Sequence, residues 1–294
     1  MAFLEYKPEG PLYHYTSADG FDGIVRSKHL WFSDLSTMND PREINLGHDM
    51  VLEAVKHVRH KDFVGSRGIK ISILHSRIAK YLDIKGMLSC SFSTEGDFLP
   101  LWRAYGADCT GLSLGFRAVA ISAMPIRIQK AKYLPEVTPE SVIELVRDAV
   151  APLVHREYDP RPEDWIIASV KLISAMVSLK HGVWEYEREI RGSHAAAHAD
   201  GSVSVGGEPV PSFEYPDGKR VYSKLLTRTS GGEEVRYLPL PFGKYNDGTH
   251  NAARSIERIF VGCKCRWSKD EISAKLRREG FSHFEILDSE CKIR

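Results

Sequence analysis

The sequence predicts an α+β fold, in which one domain over residues 1–294 contains a mixed β-sheet and a helical insert. Short segments rich in aromatic and β-branched residues recur near both ends of the chain, as is typical of strands. From about residue 138 to 180 the apolar residues follow a helical period instead. Between about 192 and 248, glycines and turn signals predict hairpins and loops. These three observations together indicate the α+β class.

The N-terminal part of the chain alternates predicted strands and helices. Aromatic and β-branched residues predict strands at Leu12–Thr16 and Leu30–Ser33. Capping residues or helical spacing predict helices that begin near Ser17 and Asp40, and helical segments over 50–58 and 73–82. At Asp40 the signal is an N-cap acid followed by proline in the first turn.

Alternating residues in the middle of the chain predict three more strands, over 87–94, 112–116 and 126–133. The first of these has small residues on one side, so it presents the hydroxyls of Ser91 and Ser93 on one face. Residues 99–105, which include Trp102, predict a helical turn.

The insert and the C-terminal region give clearer signals. Prolines in the first turn predict insert helices that begin at Pro139 and near Pro162. Residues 256–262 predict a strand, Ser268–Glu271 is a capping box that starts a helix, and residues 284–287 predict a closing strand.

Composition excludes several classes of protein. Charged residues make up 27% and hydrophobic residues 43% of the chain, which is typical of a globular domain. A net charge of +1 argues against a protein that coats nucleic acid. The N-terminus lacks a signal-peptide pattern and no apolar run is long enough to cross a membrane, so we expect a cytoplasmic protein without a membrane partner. Five scattered cysteines fit a reducing compartment.

Motifs for metal ions and for common nucleotide folds are weak, and we expect no metal. Cys263 and Cys265 form only a C-x-C. His194 and His198 have i, i+4 spacing, but the glutamate of H-E-x-x-H and a nearby third ligand are missing. Neither a Walker-type phosphate loop nor a strand-linked G-x-G-x-x-G occurs.

Residues Gly111–Gly115 match the G-x-S-x-G pattern of a serine hydrolase, with Ser113 as the candidate nucleophile. The hydrolase elbow follows a buried strand and opens a helix. Here a turn-like stretch precedes the motif, and the motif itself alternates as a strand. The hydrolase therefore stays an alternative that the context does not favour.

The segment Trp184–Arg191 alternates charged residues with aromatic and apolar ones. If it is extended, Glu185, Glu187, Glu189 and Arg191 share one face of a strand. Neighbouring carboxylates repel each other, so such a row is expected either at a solvated edge or in a cleft where positive charge binds or develops. Arg191 offers a third explanation, in which it neutralises Glu189 in an ion-pair ladder.

A histidine on the first strand (His14), a hydroxyl-rich strand (Ser91 and Ser93) and a final Glu187-x-Glu189 occur in this order along the chain. The set resembles the ADP-ribosyltransferase superfamily. More closely, nearly the whole chain resembles the bacterial domain-of-unknown-function family numbered 2971, and the matching blocks are 12–17, 31–43, 89–116, 184–191 and 256–262. The superfamily resemblance implies a partly split sheet, NAD as substrate, and a protein or nucleic-acid acceptor. About ninety residues separate the serine strand from Glu187, so the helical pair is expected to be an insertion into the common core.

The resemblance also implies roles for individual residues. Glu189 would bond the ribose hydroxyl and stabilise the charge that develops on the sugar, while Glu187 would orient or deprotonate the acceptor. His14 would hold the adenosine ribose, with Tyr15 beside it. Ser91 or Ser93 would position the nicotinamide. The predicted cofactor-binding residues also include Trp102, as a ring that stacks on the ligand, and Asn39, at the start of a helix whose amides face a pyrophosphate.

The sequence thus predicts an NAD-dependent ADP-ribosyltransferase or NAD glycohydrolase. An effector against phage or a rival cell fits such chemistry. One alternative is a noncatalytic module of the same fold that binds a nucleotide or a protein. The other is the serine hydrolase at Ser113.

Overall fold

The computed structural model describes residues 6–37, 42–57, 76, 87–134, 139–154, 161–195, 204–205, 208–209, 213–214, 220–221, 225–230, 232–243 and 251–291. Within these residues the fold is α+β, with a mixed and partly split main sheet. The predicted start of a helix at Asp40, the residue Asn39 and nearly all of the predicted helix over 73–82 lie outside the described residues.

Most of the described helices lie close to predicted positions. The helices are α1 Ala18–Ser27, α2 Arg42–His57, α3 Leu99–Ala104, α4 Ala118–Ser122, α5 Pro139–Val154, α6 Pro162–Met176 and α7 Lys269–Arg278. Of these, α4 was not predicted. Ser17 caps α1 by accepting a hydrogen bond from the amide of Gly20, and Ser268 with Glu271 forms the predicted capping box of α7. Short 3₁₀ helices cover Leu35–Thr37, Gly182–Glu187 and Ala252–Arg254.

The strands of the N-terminal half are β1 Leu12–Thr16, β2 His29–Asp34, β3 Met87–Ser93, β4 Leu112–Phe116, β5 Arg127–Lys130 and β6 Lys132–Leu134. Those that follow are β7 Leu179–His181, β8 Glu189–Ala195, β9 Ser204–Val205, β10 Glu208–Pro209, β11 Phe213–Glu214, β12 Arg220–Val221, β13 Leu226–Ser230, β14 Glu233–Pro241, β15 Ile256–Val261 and β16 Glu285–Asp288. The main sheet has the order β13-β14-β2-β3-β1-β4-β15-β16, and β8 pairs with both β3 and β5.

The sheet splits along one edge of β3. On its other edge β3 pairs with β8 over its full length, from Met87 to Ser93. On the split edge, β2 pairs only with Leu88 and Ser89, and β1 pairs only with Ser93. Within the described part of the chain, no strand therefore pairs with the middle of β3 on this edge. The first two strands diverge there, which leaves an opening in the sheet.

The two faces of the sheet differ in chemistry because side chains alternate along each strand. One face is apolar and packs against α1 and α7 in a core that includes Phe32, Leu88, Phe92, Ile190 and Ile272. The opposite face contains Ser89, Ser91 and Ser93 from β3, and their cross-strand partners on β8 are Ser193, Arg191 and Glu189. The predicted row of hydroxyls on one face of β3 is thus confirmed.

A second apolar core is formed by α2, α5 and α6. Its buried residues include Val51, Val146 and Leu172, so α2 packs with the predicted helical insert although it lies far from it in sequence. Two side chains of the sheet bond backbone oxygens at the end of this insert: Gln129 to Ser174 at 3.2 Å, and Arg191 to Val177. The polar face of the sheet is therefore attached to the helical cluster.

One prediction about strands needs correction. Residues 126–133 do not form one strand, because the chain changes partner from β8 to β7 after Lys130. In the region 192–248, where hairpins and loops are predicted, β8 continues to Ala195, and β13 and β14 form a hairpin that joins the main sheet through β2. None of the described helices combines the length and the apolar character that crossing a membrane requires.

Candidate active site

A cavity of about 480 Å³ opens at the split between β1 and β2. It lies within the size range of small-molecule pockets. The three serines of β3 line it, together with His14 and Tyr15 from β1. Glu187, Glu189, Tyr105 and Arg228 also line it. The structure therefore brings most of the predicted site residues to one cavity.

Glu189 is buried and all its acceptor positions are occupied. Arg191 donates hydrogen bonds to both carboxylate oxygens, with Nε 3.0 Å from Oε1 and Nη2 2.8 Å from Oε2. Ser91 donates its hydroxyl to Oε1 at 2.6 Å, and Lys180 donates to Oε2 at 2.9 Å. Burial alone would raise the pKa of the Glu189 carboxyl, but the charges of Arg191 and Lys180 outweigh it and hold the pKa well below its usual range.

Glu187 is also buried but has fewer partners. Lys180 donates to Oε2 at 2.5 Å, and the hydroxyl of Tyr105 donates to Oε1. A carboxylate has about four lone-pair positions, so Glu187 retains acceptor capacity that Glu189 lacks. Burial and the neighbouring negative charge of Glu187 raise the pKa of Tyr105, which keeps the phenol protonated as a donor.

Lys180 joins the two carboxylates, because its ammonium contacts both Glu187 and Glu189. Lys180 lies on β7 and is 7% exposed. Together with Arg191, it balances the charge of the two glutamates. Buried charges are tolerated when they are paired in this way.

The prediction that Glu185, Glu187, Glu189 and Arg191 share one strand face is wrong. Residues Gly182–Glu187 form a 3₁₀ helix, and Arg188 adopts the left-handed conformation with φ 46° before β8 begins. Glu185 is exposed, and only Glu189 and Arg191 share a strand face. Glu187 at the end of the 3₁₀ helix and Glu189 at the start of β8 nevertheless both contact Lys180.

His14 occupies the opening in the sheet. Its Nδ1 lies 3.0 Å from the carbonyl oxygen of Ser91, and because a carbonyl only accepts, Nδ1 carries the proton and Nε2 is an acceptor in the neutral ring. Burial lowers the pKa of His14, the bond to Ser91 opposes this, and the charge of Arg228 lowers the pKa further. His14 is the cross-strand partner of Leu114 on β4, which belongs to the apolar core, so His14 lies on the apolar face of the sheet. Glu189 lies on the polar face. They reach the same cavity through the split.

The remaining predicted cofactor-binding residues differ in what they offer. Ser91 connects His14 to Glu189, because its backbone oxygen contacts His14 and its hydroxyl donates to Glu189. Ser93 lines the cavity and accepts a hydrogen bond from the amide of Glu95 at 3.1 Å. Tyr15 presents its ring, since its hydroxyl donates to the oxygen of Glu95 and accepts from the amide of Phe98.

Trp102 does not have the predicted role of stacking on a ligand. It is fully buried, and its ring packs edge-to-face with that of Tyr15, with 5.0 Å between the ring centres. Its Nε1 donates to Asp97 at 2.6 Å. It supports the wall of the cavity from behind. Asn39 lies outside the described residues.

Ser113 lies in the middle of β4, between partners on β1 and β15, and is fully buried. Its hydroxyl has no hydrogen-bond partner among the described residues, so no base contacts it there. The geometry of a nucleophile elbow, a turn between strand and helix, is absent at this residue. His194 is on a strand and bonds the oxygen of Pro125, so it is not part of a helical metal pair.

Sequence reasoning missed Lys180, Tyr133 and Arg228 as residues of the site. Lys180, Tyr105 and Tyr133 contact the glutamates, and Tyr133 accepts a hydrogen bond from the Glu189 amide at 2.8 Å. Burial raises the pKa of Tyr133 to about 12. Arg228, on a segment predicted only as hairpin or loop, lines the opposite wall. No local pattern marks these residues.

Comparisons with known protein families, with curated proteins and with solved structures found no match.

Proposed function

We propose that this protein cleaves the nicotinamide–ribose bond of NAD and transfers the ADP-ribose to a protein or nucleic-acid acceptor, or to water. The observation that carries the proposal is the convergence of His14, Ser91 and the two glutamates on one cavity in the split of the sheet. The order of these residues along the chain, which resembles that of ADP-ribosyltransferases, supports the same function.

The reaction needs a fixed negative charge beside the sugar. When the C1′–N bond breaks, both bonding electrons go to the nicotinamide nitrogen and neutralise its positive charge. The ribose is left as an oxocarbenium-like cation, which a preorganised carboxylate stabilises. A nucleophile then bonds to C1′ and releases its proton to a base.

The hydrogen bonds divide the work between the two glutamates. Glu189 has both oxygens occupied by Arg191, Lys180 and Ser91, so we assign it to hold the polar wall in position. Glu187 keeps free acceptor positions and lines the cavity, so it is the carboxylate that contacts the ribose or the acceptor. This assignment gives Glu187 the contact with the sugar that the resemblance implied for Glu189, and it gives Glu189 a positioning role.

His14 has a complementary role in binding the substrate. Its Nε2 is an acceptor when Nδ1 donates to Ser91, so it suits a hydroxyl of the substrate. A lowered pKa keeps the ring neutral, which preserves that acceptor at neutral pH. His14 thereby fits the binding of a ribose better than proton transfer to a leaving group.

A noncatalytic nucleotide-binding module is the second candidate. The observation that favours it is the charge balance of the cluster, in which Lys180 and Arg191 offset Glu187 and Glu189. A carboxylate that is already neutralised stabilises a developing cation less than an unpaired one. In this case the cavity binds a nucleotide without breaking it.

The test is release of nicotinamide from NAD by the purified full chain, measured by chromatography with and without candidate acceptors. We expect release by the wild type and at least about a hundredfold slower release by Glu187→Gln. Glu185→Gln is the matched control, because Glu185 lies in the same 3₁₀ helix but is exposed. Its rate should equal that of the wild type.

One result would contradict catalysis, and another would contradict the role assigned to Glu187. If wild-type protein binds NAD but releases no nicotinamide with any acceptor, the noncatalytic module replaces it. If Glu187→Gln releases nicotinamide at the wild-type rate, Glu187 is not the carboxylate that acts on the sugar. Binding of NAD to each variant, measured by calorimetry, separates loss of chemistry from loss of affinity.

A further inference from the structure

A second polar cluster lines the cavity near the edge of β3 that faces β2, away from β8. It consists of Ser89 on β3, Ser33 on β2 and Arg228 on β13. Ser33 and Ser89 are direct cross-strand partners, and Nη2 of Arg228 donates to the hydroxyl of Ser33 at 3.2 Å. Glu189 lies opposite Ser93, about 13 Å further along β3 at about 3.3 Å per residue.

Two polar atoms of this cluster have no hydrogen-bond partner in the part of the chain that the structure describes. Among the described residues, only the Ser89 hydroxyl, the Ser113 hydroxyl and Nε of Arg228 are buried side-chain polar atoms in this state. Two of these three therefore line the same part of one cavity. A buried polar group without a partner costs free energy, so its retention beside a cavity points to a ligand that supplies the partner.

The guanidinium of Arg228 is held in place by aromatic rings. Its Cζ lies 5.2 Å from the ring centre of Trp31 and 5.9 Å from that of Tyr237, and these two rings stack on each other at 4.5 Å. Such contacts fix the plane of the guanidinium and leave its N–H groups directed along that plane. Within the described chain, Arg228 forms no ion pair with a carboxylate, unlike Lys180 and Arg191 at the glutamates.

We propose that Arg228, Ser33 and Ser89 form an anion subsite that binds a phosphate group of the ligand in this cavity. A fixed guanidinium with two hydroxyls beside it matches the geometry and charge of a phosphate. The cations at the glutamates are already paired, whereas Arg228 forms no ion pair within the described chain, so the phosphate lies at Arg228 and an uncharged or cationic part of the ligand lies at Glu187. The inference rests on the proposed function only in naming NAD as the phosphate-bearing ligand.

Calorimetry with the full chain tests this subsite, using ADP-ribose, ADP, inorganic pyrophosphate and adenosine as probes. We expect Arg228→Met to bind ADP-ribose about ten- to a hundredfold more weakly, because a charge-assisted contact is lost. Arg228→Lys should lie between that variant and the wild type, since it keeps the charge without the fork. Adenosine binding should not depend on Arg228. Arg277→Gln, an exposed arginine on α7 outside the cavity lining, is the control.

Ser89→Ala separates ligand binding from a structural role. Removing a buried hydroxyl that has no partner should leave the melting temperature unchanged or higher, whereas binding of ADP-ribose should weaken several-fold. The subsite is wrong if folded Arg228→Met and Ser89→Ala both bind ADP-ribose as tightly as the wild type does. That result would leave the proposal of NAD cleavage standing. The subsite also falls if adenosine loses affinity as much as ADP-ribose does.

The probes also distinguish failure of the proposed function. If the wild type binds ADP or pyrophosphate through Arg228 but neither binds nor cleaves NAD, the anion subsite stands and NAD cleavage falls. If the wild type binds none of the phosphate-bearing probes at millimolar concentration, the subsite is refuted.

Discussion

His14 Nδ1 lies 3.0 Å from the carbonyl oxygen of Ser91, although the strands that carry them pair only at Tyr13 and Ser93. The imidazole thus satisfies a backbone oxygen that a neighbouring strand would otherwise bond. Because the hydroxyl of Ser91 also donates to Glu189, one residue connects the histidine in the split to the buried ion cluster. This connection makes the opening of the sheet and the polar wall a single unit.

The stability of the protein should depend on the protonation of His14. Its pKa is lowered in the folded state, so between that lowered value and the ordinary value of 6.5 only the unfolded chain binds the proton. Stability therefore rises with pH through this interval, by at most about 1.4 kcal/mol per pH unit for one proton. Denaturant unfolding across this pH range measures the slope. His14→Gln should flatten it; an equal slope in the variant would assign the effect to other groups.

Lys180→Met should destabilise the protein by about 3–5 kcal/mol, because it leaves two buried carboxylates with one cation fewer. Adding Glu187→Gln should recover part of this loss, since the second substitution removes one of the two negative charges. A double-mutant cycle by urea unfolding measures the coupling. Strictly additive effects would mean that Lys180 and Glu187 do not interact as the geometry indicates.

Glu189 should contribute to stability at neutral pH and lose that contribution only in acid. Its folded pKa is lowered, so the contribution is complete above the ordinary value of 4.5 and declines as pH falls towards the folded value. The unfolding free energy of wild type minus that of Glu189→Gln should be constant above about pH 5.5 and shrink below about pH 4.5. A difference that grows in acid would contradict the pairing of Glu189 with Arg191 and Lys180.

Ser113→Ala should leave nicotinamide release and stability close to the wild-type values. The side chain is fully buried within β4 and does not line the cavity, and no hydrogen bond of good geometry joins its hydroxyl to a described residue. A fluorophosphonate probe should not label the wild-type protein at this serine. Labelling that disappears in Ser113→Ala would establish the hydrolase alternative instead.

Gly47→Ala should weaken the attachment of α2 to the helical insert. A Cβ at this position would overlap the backbone oxygen of Met176 at the end of α6, and backbone cannot move aside as a flexible side chain can. We expect a loss of about 1–3 kcal/mol in unfolding free energy. Gly23→Ala, in α1 with open space around the added methyl group, is the matched control and should be neutral or slightly stabilising.

Most secondary structure was predictable because its signals are local. The alternation of Leu12–Thr16, the capping box at Ser268 and the first-turn proline of α6 each depend on residues that are near neighbours in sequence. The segment before β8 shows where a local pattern failed. Its charges alternate as in a strand, but residues 182–187 fold as a 3₁₀ helix and Arg188 turns the chain. Tertiary packing overrode the local pattern there.

The sequence by itself determined the α+β class, most of the strands and helices near the two ends of the chain, and the candidates His14, Ser91, Ser93, Glu187 and Glu189. Only the tertiary structure decided which of these meet, and that Trp102 is fully buried and outside the cavity lining. It decided that Lys180 and Arg191 pair with Glu189. It also decided that Arg228 reaches the same cavity from another strand. The reason is physical: periodicity and caps act over a few residues, whereas ion pairs and cavities depend on strand register across long separations in sequence.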